Sequence, residues 1–268
     1  MSTRLEYEAR QLVGKNWSKG SGTNQKLLSN IRSIARFMET QSLQSIKHMK
    51  TKHVEHYFSM LKGQGLAAST LQNHATAMRL LARAIGKQNI CPRTNAELGF
   101  VRRGRYAPKS ADMEQQGIIR DLLYQKDVRL GIAHDLRQAF GLRAQESITA
   151  RTVVRSGEEL LQVVGKGGRA RELRIDSPDK AAAVEAMKRI TAEQRTPGII
   201  PADKSLKEFY NYQKNTIHRL GGTKENSAHM HSLRHHYVQE MKANGVPIED
   251  RVAETGHSRT DSDRHYTK

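Results

Sequence analysis

The chain of 268 residues has one cysteine, Cys91, and one tryptophan. A single cysteine excludes an intrachain disulfide and any zinc site built on cysteine, so Cys91 is expected as a small packing residue near a helix end. No apolar run approaches the roughly 20 residues needed to span a membrane. The first residues, MSTRLEYEARQLVGKNW, lack the apolar core of a secretory signal. These absences predict a soluble, intracellular protein without a membrane partner. Nucleotide-loop and zinc-protease patterns are missing too. GKGG at 165–168 has neither the spacing of a phosphate-binding loop nor a helix after it, and no glutamate follows His231 to complete HExxH. Neither a metal nor a cofactor is expected.

What the chain has is positive charge, unevenly placed. Lys and Arg outnumber Asp and Glu by 45 to 27, a formal charge of +18. Residues 1–110 carry 19 basic and 5 acidic side chains, net +14; the remainder carries 26 and 22, net +4. A basic first part joined to a nearly balanced second part suggests an electrostatic clamp on a polyanion.

Periodicity divides the chain further. Residues 1–22 read as a flexible basic arm. From 23 to 88, three apolar stripes at helical spacing (Leu27, Leu28, Ile31, Ile34, Ala35, Met38; Val54, Tyr57, Phe58, Leu61; Leu71, Ala75, Met78, Ala82, Ile85) predict a small helical bundle. Thr51 is the expected cap of the second helix. Lys47, Lys50, Lys52, Arg79, Arg83 and Lys87 lie beside the stripes as candidate DNA contacts. Residues 89–109 lose periodicity and hold Arg102, Arg103 and Arg105, the pattern of a linker lying along a backbone.

Residues 110–268 read as a second, mostly helical domain. Apolar positions Ile118, Ile119, Leu122, Leu123, Ile132, Ala133, Leu136 and Phe140 precede Gly141, a fitting helix stop. A hairpin follows: one strand over 160–164, a Gly-Lys-Gly-Gly turn, and a return through Leu173 and Ile175. Further helices are expected near 179–194, 203–220, 232–244 and 248–255.

The chemistry concentrates late in the chain. His231 and Arg234 are three residues apart in HSLRHHY, one helix face. His257 comes 23 residues after Arg234, and Tyr266 nine after His257. Upstream stand Arg143 in GLRAQES and Lys166 in VVGKGGRAR. Guanidinium groups donate planar forks to phosphate oxygens, and a tyrosine beside histidines is a nucleophile in search of a base. The competing structural reading of Arg143 is an ion pair with Glu146. For Lys166 it is a solvated hairpin lysine.

This ordered set (Arg, Lys on a β-turn, His-x-x-Arg, His, Tyr) resembles the tyrosine recombinases, or phage-integrase family, over roughly residues 23–268. The resemblance implies a mainly α fold: a SAM-like core-binding domain followed by a catalytic domain with a small antiparallel sheet. It implies a site-specific DNA recombinase of mobile genetic elements that cleaves and rejoins strands through a 3′-phosphotyrosyl intermediate. Tyr266 would be the nucleophile, and Arg143 and Arg234 the phosphate clamps, with Glu146 supporting. Lys166 would be the general acid, His231 the proton-transfer histidine and His257 a phosphate hydrogen-bond donor. Arg169 and Arg171 would contact the backbone beside Lys166.

The implied partners are double-stranded DNA with specific core sites, a homotetramer on synapsed DNA and an accessory directionality factor. The implied location is the nucleoid-associated cytoplasm. A type IB topoisomerase and an inactive basic DNA-binding accessory protein are the alternative readings. The sequence departs from the family in SITARTVV after Glu146 and in Asp261-Ser262 before the tyrosine. Only two residues follow Tyr266, so regulation through a tail docked on a neighbouring subunit is not among the expectations.

Overall fold

The computed structural model describes residues 3–14, 22–100, 111–165, 168–257, 260, 263 and 266. Lys166, Arg102, Arg103 and Arg105 lie outside them. The chain forms two compact units, residues 1–104 and 105–268.

The first unit is helical: α1 (Arg4–Val13), α2 (Gly22–Thr40), α3 (Thr51–Gly63) and α4 (Ala68–Ala84). Its core takes the expected stripes, with Ile31, Ile34 and Met38 of α2, Tyr57 of α3 and Ala75 and Met78 of α4 fully buried. The buried Tyr57 hydroxyl is satisfied by His74 Nδ1 at 2.8 Å and by donation to Ser33 Oγ at 3.2 Å.

Two boundaries need correction. Residues 4–13 of the expected arm are helix α1, N-capped by the Thr3 side chain, with Leu5 and Ala9 buried in the core. Its apolar side is short, Leu5 and Ala9 with the half-buried Leu12 and Val13, and is interrupted by Arg4, Glu6, Glu8, Arg10 and Gln11, too thin to register as periodicity. Residues 89–100 of the expected linker fold onto the bundle as well. Ile90, Cys91 and Phe100 are buried, and the Phe100 ring meets Phe58 at 5.2 Å. Thr51 does not cap α3 but opens it; the cap position is Lys50, whose backbone N–H donates to His53 Nδ1.

The second unit contains α5 (Met113–Lys126), α6 (Val128–Phe140), α7 (Ala144–Thr149), β1 (Arg151–Arg155), β2 (Glu158–Val164), β3 (Ala170–Arg174), α8 (Pro178–Gln194), α9 (Leu206–Arg219), α10 (Ser232–Ala243) and α11 (Ile248–Thr255). Local chemistry sets many ends. Asp112, Asp127, Ser177 and Ser205 accept first-turn N–H groups, and Gly141 stops α6 in the left-handed conformation.

The sheet is antiparallel in the order β1-β2-β3, with Thr152 opposite Leu161 and Leu161 opposite Leu173. Its first strand, RTVVR, was not among the sequence expectations. Its residues are exposed or half-buried, and it is stabilised chiefly by pairing with β2. Of the adjacent apolar pair in α5, Ile119 is buried and Ile118 is exposed, since one helix face meets α6. No described helix is long and apolar enough to cross a membrane.

Candidate active site

Four segments of the second unit converge: the turn from α6 into α7, strand β3, the start of α10, and the end of α11 with Tyr266. The first three meet at Glu146, 2% exposed in its side chain, and the fourth joins them through Arg171 and Arg234. Glu146 Oε2 accepts the Arg143 backbone N–H at 2.9 Å, capping α7. Its Oε1 takes Arg143 Nη1 at 2.7 Å. Arg171 reaches both oxygens, Nη1 to Oε1 at 3.1 Å and Nη2 to Oε2 at 2.9 Å. Arg234 Nη1 stands 3.7 Å from Oε2. Burial alone would raise this carboxyl, but the hydrogen bonds and charge of Arg171, with the Arg143 donors, hold it down at about 2. One carboxylate thus gathers three guanidinium groups.

Arg143 and Arg234 therefore share one site. The ion pair of Arg143 with Glu146 exists, yet the Arg143 side chain remains 28% exposed. Arg234 is fully buried. Its Nη1 donates to Gly141 O at 2.8 Å and its Nη2 to Thr255 O. Its buried Nε has no hydrogen-bond partner among the described residues. Burial, then the charge of Arg143, lowers the Arg234 guanidinium to about 10, which leaves it protonated at neutral pH.

Tyr266 lies against this group, 7% exposed, with the Arg234 guanidinium 6.0 Å from its ring centre. Its hydroxyl is 3.1 Å from His231 Nε2 and 3.3 Å from His257 Nε2. Burial and then Arg234 push the His231 imidazole down to about 3 and the His257 imidazole to about 4. Both histidines are neutral at pH 7 and able to exchange a proton with the phenol. The segment carrying the tyrosine is fastened by Arg251, which grips Asp263 through Nε at 3.1 Å and Nη2 at 2.8 Å. Tyr266 N–H then donates to Asp263 O, and Gln239 Nε2 to Tyr266 O.

The structure brings together Arg143, Glu146, His231, Arg234, His257 and Tyr266. Lys166 lies outside the described residues, but Gly165 at the base of its hairpin does not. A Cβ built on Gly165 would stand 3.4 Å from Glu146 Oε1, so the hairpin starts beside the site.

Three expected DNA contacts are otherwise engaged. Arg171 faces inward on β3 and also donates Nε to Glu254 O at 3.0 Å. Arg79 donates to Pro92 O and Asn95 Oδ1, holding the loop after α4. Lys87 Nζ donates to Lys47 O at 2.6 Å. Arg79 and Lys87 lie beside apolar stripes and Arg171 in the hairpin after Lys166, where a cation reads as solvent-facing, but each reaches a carbonyl or carboxylate of its own unit. Lys47, Lys50, Lys52, Arg83 and Arg169 are exposed.

Sequence reasoning missed His235, whose ring centre lies 4.6 Å from that of Tyr266. Its spacing of four from His231 was the available signal. It also missed Thr255, whose Oγ1 lies 2.8 Å from His257 Nδ1. Among the described residues no group of three His, Cys, Asp or Glu side chains is arranged to hold a metal ion.

Comparison with known proteins covers both units. The model of a family described as Integrase matches residues 99–240, and one described as Phage integrase, N-terminal, matches residues 3–91. No curated protein matches the chain. Among solved structures, XerH site-specific recombinase bound to palindromic difH substrate, a post-cleavage complex, is 16% identical with a TM-score of 0.69, over 98% of this chain and 81% of that one. A lambda integrase tetramer bound to a Holliday junction is 14% identical with a TM-score of 0.70, over 100% and 78%. The Tn1549 transposon integrase in complex with transposon right end DNA is 14% identical with a TM-score of 0.59, over 97% and 95%.

Proposed function

The chain belongs to the integrase family of tyrosine recombinases, and from that premise we propose that Tyr266 is its nucleophile and that Arg143 and Arg234 clamp the scissile phosphate. The observation that carries this is the Tyr266 hydroxyl, within hydrogen-bond reach of two neutral imidazoles beside a buried guanidinium. An ordinary phenol is protonated at pH 7, so the nucleophile needs a proton acceptor at its oxygen. Phosphoryl transfer builds negative charge on the non-bridging oxygens, and fixed cations stabilise it without reorganising. The exposed face of Arg143 and the Arg234 Nε, which has no partner among the described residues, are the donors available for them.

In this reading the bundle with α1 and the 89–100 segment folded onto it is the core-binding domain, and 110–268 is the catalytic domain. Lys47, Lys50, Lys52, Arg83 and Arg169 are the described backbone contacts, joined by Arg102, Arg103 and Arg105. Lys166 supplies the proton to the departing 5′ oxygen. The substrate is double-stranded DNA with specific core sites, and the reacting assembly is a homotetramer on two synapsed duplexes, as the lambda integrase tetramer on its junction supports. The match to a phage-integrase N-terminal domain favours this over a type IB topoisomerase.

The test is covalent trapping on a nicked half-site. Wild-type protein is expected to accumulate a DNA adduct that maps to Tyr266, and Tyr266→Phe none. Adduct formation by the Phe variant would assign the nucleophile elsewhere.

A further inference from the structure

The hydrogen bonds around Thr255 determine where the protons sit. Thr255 is 1% exposed at the end of α11. Its hydroxyl has one hydrogen, and Arg251 O lies 2.6 Å from Oγ1, the i−4 carbonyl that this hydrogen meets. The 2.8 Å contact between Oγ1 and His257 Nδ1 then has the oxygen accepting and Nδ1–H donating. In a neutral imidazole the other nitrogen, Nε2, is bare. An independent contact agrees: Arg234 Nη2, which can only donate, faces His257 Nε2 at 3.4 Å.

The phenol completes the chain. His257 Nε2 has no hydrogen to give, so the 3.3 Å contact is a hydrogen bond only when Tyr266 O–H donates. The phenolic oxygen then accepts from His231 Nε2–H at 3.1 Å. The reverse arrangement would set two lone pairs against each other at the first contact.

Resting on the nucleophile reading above, we propose that Thr255 is a positioning residue that locks His257 in its Nδ1–H tautomer, making His257 Nε2 the acceptor of the Tyr266 proton while His231 donates to the phenolic oxygen. This moves proton acceptance from His231, where the family resemblance implies it, to His257.

In cleavage the Tyr266 O–H proton moves to His257 Nε2, giving an imidazolium. The electron pair left on oxygen forms the O–P bond as the P–O5′ bond breaks, and the 5′ oxygen takes a proton from a protonated amine, the role assigned to Lys166. His231 N–H stabilises the phenolate throughout. In rejoining, the 5′-hydroxyl attacks, gives its proton back to that amine, and the phenolate departs with the proton that His257 held.

Two measurements test this. Side-chain ¹⁵N NMR of the full chain is expected to show His257 protonated at Nδ1 and bare at Nε2. A proton on Nε2 would overturn the proposal without any activity assay. In the covalent-trapping assay, Thr255→Val keeps the shape and loses the acceptor. Its adduct rate is expected to fall at least about tenfold, with Thr255→Ser close to wild type; tautomer loss in a hydrolase triad costs ~10⁴. Glutamine can donate like a protonated nitrogen but cannot take a proton. His257→Gln is therefore expected to lose about a hundredfold or more, the usual worth of a general base, and His231→Gln clearly less.

The opposite ranking, or a Val variant as fast as wild type, would overturn the assignment while leaving Tyr266 as nucleophile. Adducts formed by Tyr266→Phe would sink the nucleophile reading itself, with the tautomer at His257 still read independently by NMR.

Discussion

Glu146 is the residue on which the others depend. It neutralises Arg171 and Arg143 directly and faces Arg234, so Glu146→Gln would leave three like charges around a buried amide. Breaking a buried pair by removing one partner costs about 3–5 kcal/mol. Urea unfolding of the Gln variant is expected to show a loss of that order, together with a weaker adduct signal.

The pH dependence has a definite sign. Glu146, held at about 2, contributes stability that is present above its ordinary 4.5 and is lost as pH falls toward 2. His231 and His257, lowered from 6.5 to about 3 and about 4, stay neutral in the fold while the unfolded chain takes up protons. That also costs stability as pH drops below 6.5. The melting temperature is therefore expected to fall steadily from pH 6.5 downward, and His231→Gln should flatten the upper part of that slope. A slope of opposite sign would mean that the imidazoles are charged in the fold.

At the scale of elements, the end of α11 organises the site. Gly256 closes the helix at φ +63°, and a Cβ there would meet Arg171 Nη1 at 2.8 Å and Cδ at 3.2 Å. Gly256→Ala thus combines a left-handed strain with a push on the guanidinium that holds Glu146. A loss of about 1–3 kcal/mol is expected, and the adduct yield should drop with it. The Arg251–Asp263 pair ties the tyrosine segment to the same helix. In the first unit, α1 is a structural helix, and Leu5→Ala should cost about 2–5 kcal/mol as a buried cavity. Tolerance of that change would argue that α1 is detachable.

For the whole molecule the charge asymmetry, +14 against +4, concerns DNA affinity. With about ten phosphate contacts the logarithm of the binding constant should fall with the logarithm of salt at a slope near −9. The structure divides the cations by consequence. Alanine at the exposed Lys47, Lys50 or Lys52 should reduce that slope by about one each without affecting stability. Alanine at Arg79 should lower stability, because its guanidinium holds the 92–95 loop.

Helical stripes, the glycine stop at 141 and the order Arg, Lys, His-x-x-Arg, His, Tyr are local or sequential properties. They were readable because a 3.6-residue period and a fixed chemical series survive in one dimension. That order marks Arg143, Lys166, His231, Arg234, His257 and Tyr266 as candidates. What the sequence does not encode locally is which side chain meets which. Arg171 turned inward onto Glu146, Thr255 onto His257 and His235 onto the tyrosine ring because strands and helices distant in the chain packed together. Hydrogen-bond partners fix proton positions, and partners are chosen by tertiary packing; the sequence supplied the groups, and only the folded chain determined which nitrogen is left bare.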